Sequence, residues 1–267
     1  MNLRACEGNN IFNMAYRKRK ITIYEELISF LEKKGYSITE DINTEVDQLA
    51  QVIDAQKMSD ITHVLKWLEK KRKSYAIAIE EVGIKDLDKW SVDKKTGNIS
   101  HESNRFFTMI GIKVSEAKGR EVLSWTQPMM KQNECGILGI LRQKRKGIMQ
   151  YLLYAKCEPG SVINPQFSPT LQATFSNLGM AHGGKKPLFS EYFENGGKGN
   201  VVVDVEQIED PSRFYLKTNR CMIVEIPEKE KIRFTKDYIW LTLPQIKKLL
   251  KVDRAVNALA RAVFGSL

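Results

Sequence analysis

Apolar residues recur along this chain with two different periods, and the change between them falls near residue 74. From Ile21 to Lys34, the side chains Ile23, Leu27, Ile28, Phe30 and Leu31 share one face at helical spacing, and Gly35 supplies a stop, so the pattern predicts a helix. A second helical run begins at Thr44 and carries Val46, Leu49, Val52 and Ile53. A third contains Ile61, Val64, Leu65 and Leu68, with Ser59 or Asp60 as a cap for the free amides of its first turn. His63 sits mid-helix beside the apolar face and reads as structural. Met1 to Lys20 has no periodicity and is expected to be poorly ordered. Residues 1–74 therefore read as a small helical unit.

From Ser74 onward the pattern becomes short β-type runs separated by turn residues. These cover Tyr75 to Ile79, Arg105 to Lys113, Gly136 to Leu141, Ile148 to Lys156, Asn200 to Val205, Arg213 to Leu216, Cys221 to Ile226 and Ile239 to Thr242. Leu87 to Trp90 is expected to make a turn of helix, and Lys94-Lys95-Thr96-Gly97-Asn98 a hairpin connection. Two helices close the chain, one opening at Thr242 or Leu243 with Pro244 near its start, the other capped by Asp253 and stopped at Gly265. The plan is α+β, with many antiparallel strands and helices packed on them over residues 75–267.

The stretch from Tyr154 to Thr174 stands out from the rest of the pattern. It joins an apolar run to a charged pair, Lys156 and Glu158, then a Pro159-Gly160 turn, then small hydroxyl and amide side chains from Ser168 to Thr174. Such a mixture suits a binding loop held by a scaffold better than a core.

Composition narrows the class without naming it. With 42% hydrophobic and 28% charged residues the chain is an ordinary globular domain in make-up, and no window has the apolar length of a membrane span. No signal-peptide h-region precedes Tyr16, so the cytoplasm is the expected address. Cys6, Cys135, Cys157 and Cys221 are scattered, without metal-ligand spacing, and are expected to be reduced and mostly buried. Cys157 as a nucleophile would need a partnering base. The formal charge is +10; residues 1–74 hold 13 Lys/Arg and 11 Asp/Glu against 29 and 21 in the remainder, so the larger part carries the positive field. That favours an anionic ligand, either a phosphorylated small molecule or nucleic acid. The basic clusters Arg17 to Lys20, Lys70 to Lys73 and Arg142 to Lys146 lack interleaved aromatics, so they read as solvated helix faces and hairpin tips and not as a nucleic-acid surface.

Three polar constellations can carry chemistry. The first is Lys156 and Glu158 with Thr170 and Gln172. The second is Asn177, His182 and Tyr192. The third is Arg213 with Lys217-Thr218-Asn219-Arg220, where Asn219 and Arg220 at a strand entrance can clamp phosphate. Glu158, His182 and Tyr192 are the candidates for proton transfer. Glu80-Glu81-Val82-Gly83-Ile84 copies the end of a Nudix box, but Ala76-Ile77 stand where Arg-Glu is needed, so no metal site is expected.

Six strings in order resemble the NDP-hexose 2,3-dehydratases: His101 to Phe107, Gly136 to Gly139, Ala155 to Gly160, Ser168 to Asn177, Arg213-Phe214 with Asn219 to Glu225, and Trp240 to Gln245. The resemblance spans about Tyr75 to Phe264. It implies a Nudix-like mixed sheet that binds a nucleotide sugar without the Nudix box. It implies removal of water across C2 and C3 of a dTDP-4-keto-6-deoxyhexose, without a redox cofactor, to a 3,4-diketo sugar that a separate ketoreductase consumes. Lys156, Arg213 and Arg220 then suit the diphosphate or an enolate; Thr170, Gln172, Asn177 and Asn219 suit the sugar or base. Trp125 is a candidate to stack on the nucleobase, with a core position as its other reading. Family members typically carry two copies of the module, and one copy is recognised here, so a homodimer is expected to replace the second; a non-catalytic nucleotide-sugar-binding subunit is the alternative. Asn104 stands where the family has glycine, and no acidic residue stands near Ala260 where one is expected.

Overall fold

The first expected helix forms, and a reciprocal cap fixes its start. In α1 (Ile23–Lys33) the Glu25 amide donates to Thr22 Oγ1 at 3.2 Å, while the Thr22 amide donates to the Glu25 carboxylate at 2.8 Å. Gly35, at φ +85°, ends it. This computed structural model describes residues 21–75, 77–132, 134–180, 185–194 and 197–267. The second helix, α2 (Glu40–Asp54), starts before the expected Thr44 because Thr39 caps it, its Oγ1 accepting from the Ile42 amide at 3.3 Å. The chain divides into two compact units at Ile53/Asp54. The third helix, α3 (Thr62–Ser74), belongs to the larger unit, whereas the compositional division falls at 74/75.

A buried ion pair bolts α3 to the rest of its unit. Lys71 Nζ lies 2.6 Å from Asp237 Oδ1, with the two side chains 8% and 12% exposed. The ammonium also lies 5.3 Å from the ring centroids of Trp67 and Tyr75. A hydrogen bond to Asp237 pushes the Tyr75 phenol up to about 12. Burial alone would raise the Asp237 carboxyl, but hydrogen bonds from Lys71 and Tyr75 and the Lys71 charge hold it below the usual range. Arg72 adds bonds to the carbonyls of Pro165 at 3.3 Å and Arg254 at 3.0 Å. Lys70 to Lys73 is thus not simply a solvated face. His63, expected beside the core, is exposed near Asp60.

The strands make two sheets. The first has the order β1-β2-β3-β4-β10, from β1 (Trp90–Val92), β2 (Ile99–His101), β3 (Thr108–Val114), β4 (Trp125–Lys131) and, later in the chain, β10 (Phe214–Tyr215). The expected hairpin at Lys94 to Asn98 joins β1 and β2, with Asp93 Oδ1 accepting from the Lys95 and Thr96 amides. The described residues of the Tyr75–Ile79 run form no strand; Ile77 and Ile79 are exposed there, because an apolar alternation without a pairing partner makes no ladder. Leu87 to Trp90 is not helical either, since Trp90 begins β1.

The second sheet runs β12-β6-β5-β11-β9, built from β5 (Gly136–Arg145), β6 (Ile148–Lys156), β9 (Asn200–Ile208), β11 (Thr218–Ile226) and β12 (Tyr238–Thr242). Strands β5 and β6 pair from Arg145/Ile148 only as far as Leu141/Leu152 and then part. Two short strands fill the fork: β7 (Gln166–Ser168) runs along β6, and β8 (Leu171–Thr174) along β5. Thr170 sits at the branch point, 2% exposed. Its hydroxyl accepts from the Leu141 amide at 3.0 Å and donates to the Leu152 carbonyl, bridging the two backbones where their ladder ends. The Tyr154–Thr174 stretch is therefore a wedge of sheet, with Cys157 to Pro165 as loop and Pro169-Thr170 as the short link between β7 and β8.

One face of this sheet buries Ile137, Leu141, Leu152, Leu171, Ala173, Met222 and Val224. Short helices α4 (Phe175–Leu178) and α5 (Ser190–Phe193) follow the wedge, and Phe193 of α5 packs where Gly139 leaves room: a Cβ at Gly139 would lie 2.4 Å from the ring. Helix α6 (Leu243–Leu249) opens as expected at Thr242, with a capping box to Gln245 and Pro244 in its first turn. The last helix, α7 (Ala258–Phe264), is capped by Asn257 and not by Asp253, because only Asn257 brings its oxygen to the Ala260 amide, at 2.8 Å. Arg142, expected at a solvated tip, is 7% exposed and paired with Glu225 at 2.8 Å. Among the described residues no helix is long and apolar enough to cross a membrane.

Candidate functional site

A missing side chain opens the cleft. Thr174 on β8 and Asn219 on β11 both stand opposite Gly136 of β5, so the three form one row across the sheet and face the same way. A Cβ at Gly136 would lie 2.3 Å from Asn219 Oδ1, so any side chain there would have to displace Asn219. Above this row lies a cleft of about 510 Å³, walled by the wedge on one side, by Glu209, Phe214 and Lys217 on another, and by Asn257 to Leu259 at the start of α7.

On the wedge side, Lys156 Nζ lies 2.8 Å from Glu158 Oε1. That oxygen is buried, with the Lys156 ammonium as its partner. The backbone around it is fixed: the Glu158 amide donates to Asn164 Oδ1 at 3.0 Å, and Asn164 Nδ2 donates to the Glu158 carbonyl at 2.8 Å. Gln172 Oε1 is a buried acceptor without a hydrogen bond. Buried polar atoms in folded proteins are nearly always bonded. The Gln172 oxygen, beside the Lys156–Glu158 pair, adds to the polar character of the cleft wall.

On the opposite side Lys217 is 4% exposed, and its ammonium donates to the Glu134 carbonyl. Burial pushes the Lys217 ammonium below the ordinary lysine range, against the opposing influence of Cys135, Glu134 and Glu209. Burial would raise Glu134, but hydrogen bonds from Ser176 and Thr174, and the Lys217 charge, hold it below the usual range. The Glu209 carboxylate accepts from Asn219 Nδ2. Gln166 and Asn257 complete the lining, each already tied to protein: Gln166 to the Arg254 carbonyl at 3.0 Å, Asn257 to Ser168 Oγ at 2.7 Å. Among the described residues no group of His, Cys, Asp and Glu is arranged to hold a metal ion; Glu80 and Glu81 lie exposed on irregular chain.

Of the residues the sequence singled out, Lys156, Glu158, Gln172, Asn177 and Asn219 line this one cleft. The others lie elsewhere. Thr170 is the branch-point hydroxyl of the fork. Tyr192 sits against the other face of the sheet, its hydroxyl 2.5 Å from the Glu230 carboxylate; burial first, and Glu230 second, push the phenol far above its ordinary range. Arg220 points to the face opposite its neighbour Asn219 and is held by both oxygens of Asp204, so the two do not clamp one phosphate. Arg213 is exposed, bonded to the Ser212 carbonyl at 3.2 Å. Trp125 belongs to the first sheet, where its Nε1 donates to Gln127 at 2.7 Å and the Arg120 guanidinium lies 5.6 Å from its ring. His182 lies outside the described residues, as does Cys6. Of the other cysteines Cys221 alone is buried, and burial pushes the Cys157 thiol up, away from a reactive thiolate.

Lys217, Glu209, Gln166 and Asn257 were passed over. Lys217 stands in the third polar string, but nothing in a string separates a buried lysine from a surface one. Asn104 has φ +53°, a left-handed backbone that glycine adopts freely and asparagine tolerates, which accounts for the family's glycine there. Ala260, where an acid was expected, is fully buried in the first turn of α7.

Fold and cleft together define an α+β protein with a polar pocket at a fork in a mixed sheet. Residues 61–267 match the model of the NDP-hexose 2,3-dehydratase family, and the chain belongs to that family. It is 40% identical over 208 residues to a dTDP-4-dehydro-6-deoxy-alpha-D-glucopyranose 2,3-dehydratase of Amycolatopsis orientalis, covering 76% of this chain and 44% of that protein. A protein of the same name from Saccharopolyspora spinosa is 41% identical over 201 residues, 75% of this chain and 41% of the relative. The chain thus spans under half the length of the curated relatives it matches. Among solved structures it is similar to a crystal structure of an ADP compounds hydrolase, at 12% identity and a TM-score of 0.39, over 71% of this chain and 94% of that one.

Proposed function

We propose that this protein is a sugar-nucleotide 2,3-dehydratase, a hydro-lyase that removes water across C2 and C3 of an NDP-4-keto-6-deoxyhexose, with the Gly136 cleft holding the sugar. The observation that carries this reading is the cleft itself, where the Lys156–Glu158 ion pair, Gln172, Asn177, Lys217 and Asn219 are gathered on one polar surface large enough for a sugar ring. The relatives' shared name supports a dTDP-linked substrate.

The 4-ketone acidifies the C3 proton. Glu158 takes that proton, the C3–H electrons form the enolate at C4, and the enolate then expels the C2 hydroxyl, which leaves as water with the proton returned to it. The enol left at C3 tautomerises to the 3,4-diketone. Glu158 suits the base role because it lines the cleft, whereas the Tyr192 hydroxyl is held by Glu230 on the other face of the sheet. A vicinal diketone is unstable, so a ketoreductase acting at C3 follows, in the cytoplasm, and a second copy of this chain completes a homodimer.

The test is incubation of the full chain with dTDP-4-keto-6-deoxyglucose in the presence of o-phenylenediamine, which captures vicinal diketones as quinoxalines visible by mass spectrometry. Product is expected. Tight dTDP-sugar binding by calorimetry, with no product, would exclude the enzyme. In Glu158→Gln the turnover is expected to fall about 10²–10⁴-fold while dTDP-sugar affinity changes only a few-fold.

A further inference from the structure

Resting on that reading, we infer that Lys217 is a catalytic residue: its ammonium meets the C4 enolate oxygen and stabilises the charge that develops there. The inference starts from how the lysine is held. Lysines are almost never fully buried unless paired, and Lys217 is 4% exposed in the cleft wall. Its ammonium donates to a neutral group, the Glu134 carbonyl. Among the described residues no carboxylate lies within ion-pair distance of it. The nearby acids are turned away: Glu134 accepts from the Ser176 amide at 3.0 Å, and Glu209 accepts from Asn219 Nδ2. Lys156, the other cation of the cleft, is already paired with Glu158 Oε1 at 2.8 Å before any substrate arrives.

A buried cation with no carboxylate in contact is costly in the resting protein, and that cost falls when an anion forms beside it. In this elimination the ketone oxygen is neutral in the ground state and carries negative charge only after the C3 proton has moved. A cation placed there binds the transition state better than the substrate, and raises turnover with little effect on affinity. The fold also fixes its position: the Glu209 amide donates to the Lys217 carbonyl at 2.9 Å, and Asn219, two residues on, is locked into the row with Gly136. No covalent step is needed. The proton goes to Glu158, the C3–H electrons to the enolate, and Lys217 donates a hydrogen bond while keeping its proton.

The test separates this role from support of the fold. Lys217→Met is expected to keep the wild-type circular dichroism and dTDP-sugar affinity within about threefold, while kcat falls about 10²–10³-fold, the size of losing one oxyanion donor. Wild-type kcat is expected to fall at alkaline pH as the lysine deprotonates; the groups that face it are Glu134 and Cys135 before β5, Glu209 after β9, and the Lys156–Glu158 pair across the cleft. In Lys217→Arg, which stays charged, that alkaline limb is expected to move to higher pH. If Lys217→Met folds and turns over like the wild type, the inference is overturned while the dehydratase reading stands. If Lys217→Met does not fold, Lys217→Arg decides, and an unmoved alkaline limb overturns the inference. A wild type that yields no diketone overturns both.

Discussion

A carboxylate serves in proton transfer only while a lone pair is left for substrate, and the acids here divide on that criterion. Glu158 lines the cleft with Lys156 as its charged partner, while Asp237 is used up inside the protein by Lys71, Tyr75 and Thr235. Asp237→Asn leaves Lys71 buried without its partner and is expected to cost about 3–5 kcal/mol in urea unfolding. Because the folded Asp237 is more acidic than in the unfolded chain, its contribution is present above the unfolded pKa and lost as pH falls through the folded one. Wild type is therefore expected to lose stability on acidification, and Asp237→Asn to lose less of it, in paired melts at neutral and acid pH. The sequence made Lys156, Glu158, Gln172, Asn177 and Asn219 visible as polar residues near turns. It did not separate them from Arg213, Arg220 and Tyr192, which have the same chemistry but face solvent or a fixed partner.

At the scale of elements, the wedge of β7 and β8 decides where the cleft lies. Two strands of three and four residues are too short to show a period, and Pro169 between them reads as a break. Their strand character comes from β5 and β6, which part after Leu141 and Leu152 and leave backbone groups to be paired. Thr170 holds that branch point. Thr170→Val keeps the shape but removes both bonds, and leaves the Leu141 amide and Leu152 carbonyl unsatisfied. A loss of about 1–3 kcal/mol per unpaired group is expected, read as a lower midpoint in urea, with dTDP-sugar turnover per folded molecule little changed. If turnover vanished while stability held, Thr170 would be a substrate contact after all. The long strands and helices α1, α3 and α6 were legible because their apolar periods are complete. The Tyr75–Ile79 run showed the same apolar signal without a partner strand.

For the whole molecule, the boundary that composition suggests and the one that packing makes are different. Texture changes at residue 74, but α3 is joined to the larger unit through Lys71 and Arg72. A fragment of residues 54–267 is expected to fold and melt cooperatively. A fragment of residues 75–267 removes the partner of Asp237 and uncovers Phe167, on which Trp67 stacks at 5.9 Å, so it is expected to be insoluble or to lack a cooperative melt. Equal melting of the two would show that α3 is dispensable. By itself the sequence determined the α+β class, most long elements, the membership in a family and a basic field suited to an anionic ligand, because these follow from periodicity, composition and ordered strings. Only the tertiary structure decided which polar residues share a cleft and that a lysine is buried in its wall with no carboxylate in contact. Those depend on which face of a strand each residue takes and on what packs against it, and neither is carried by neighbours along the chain.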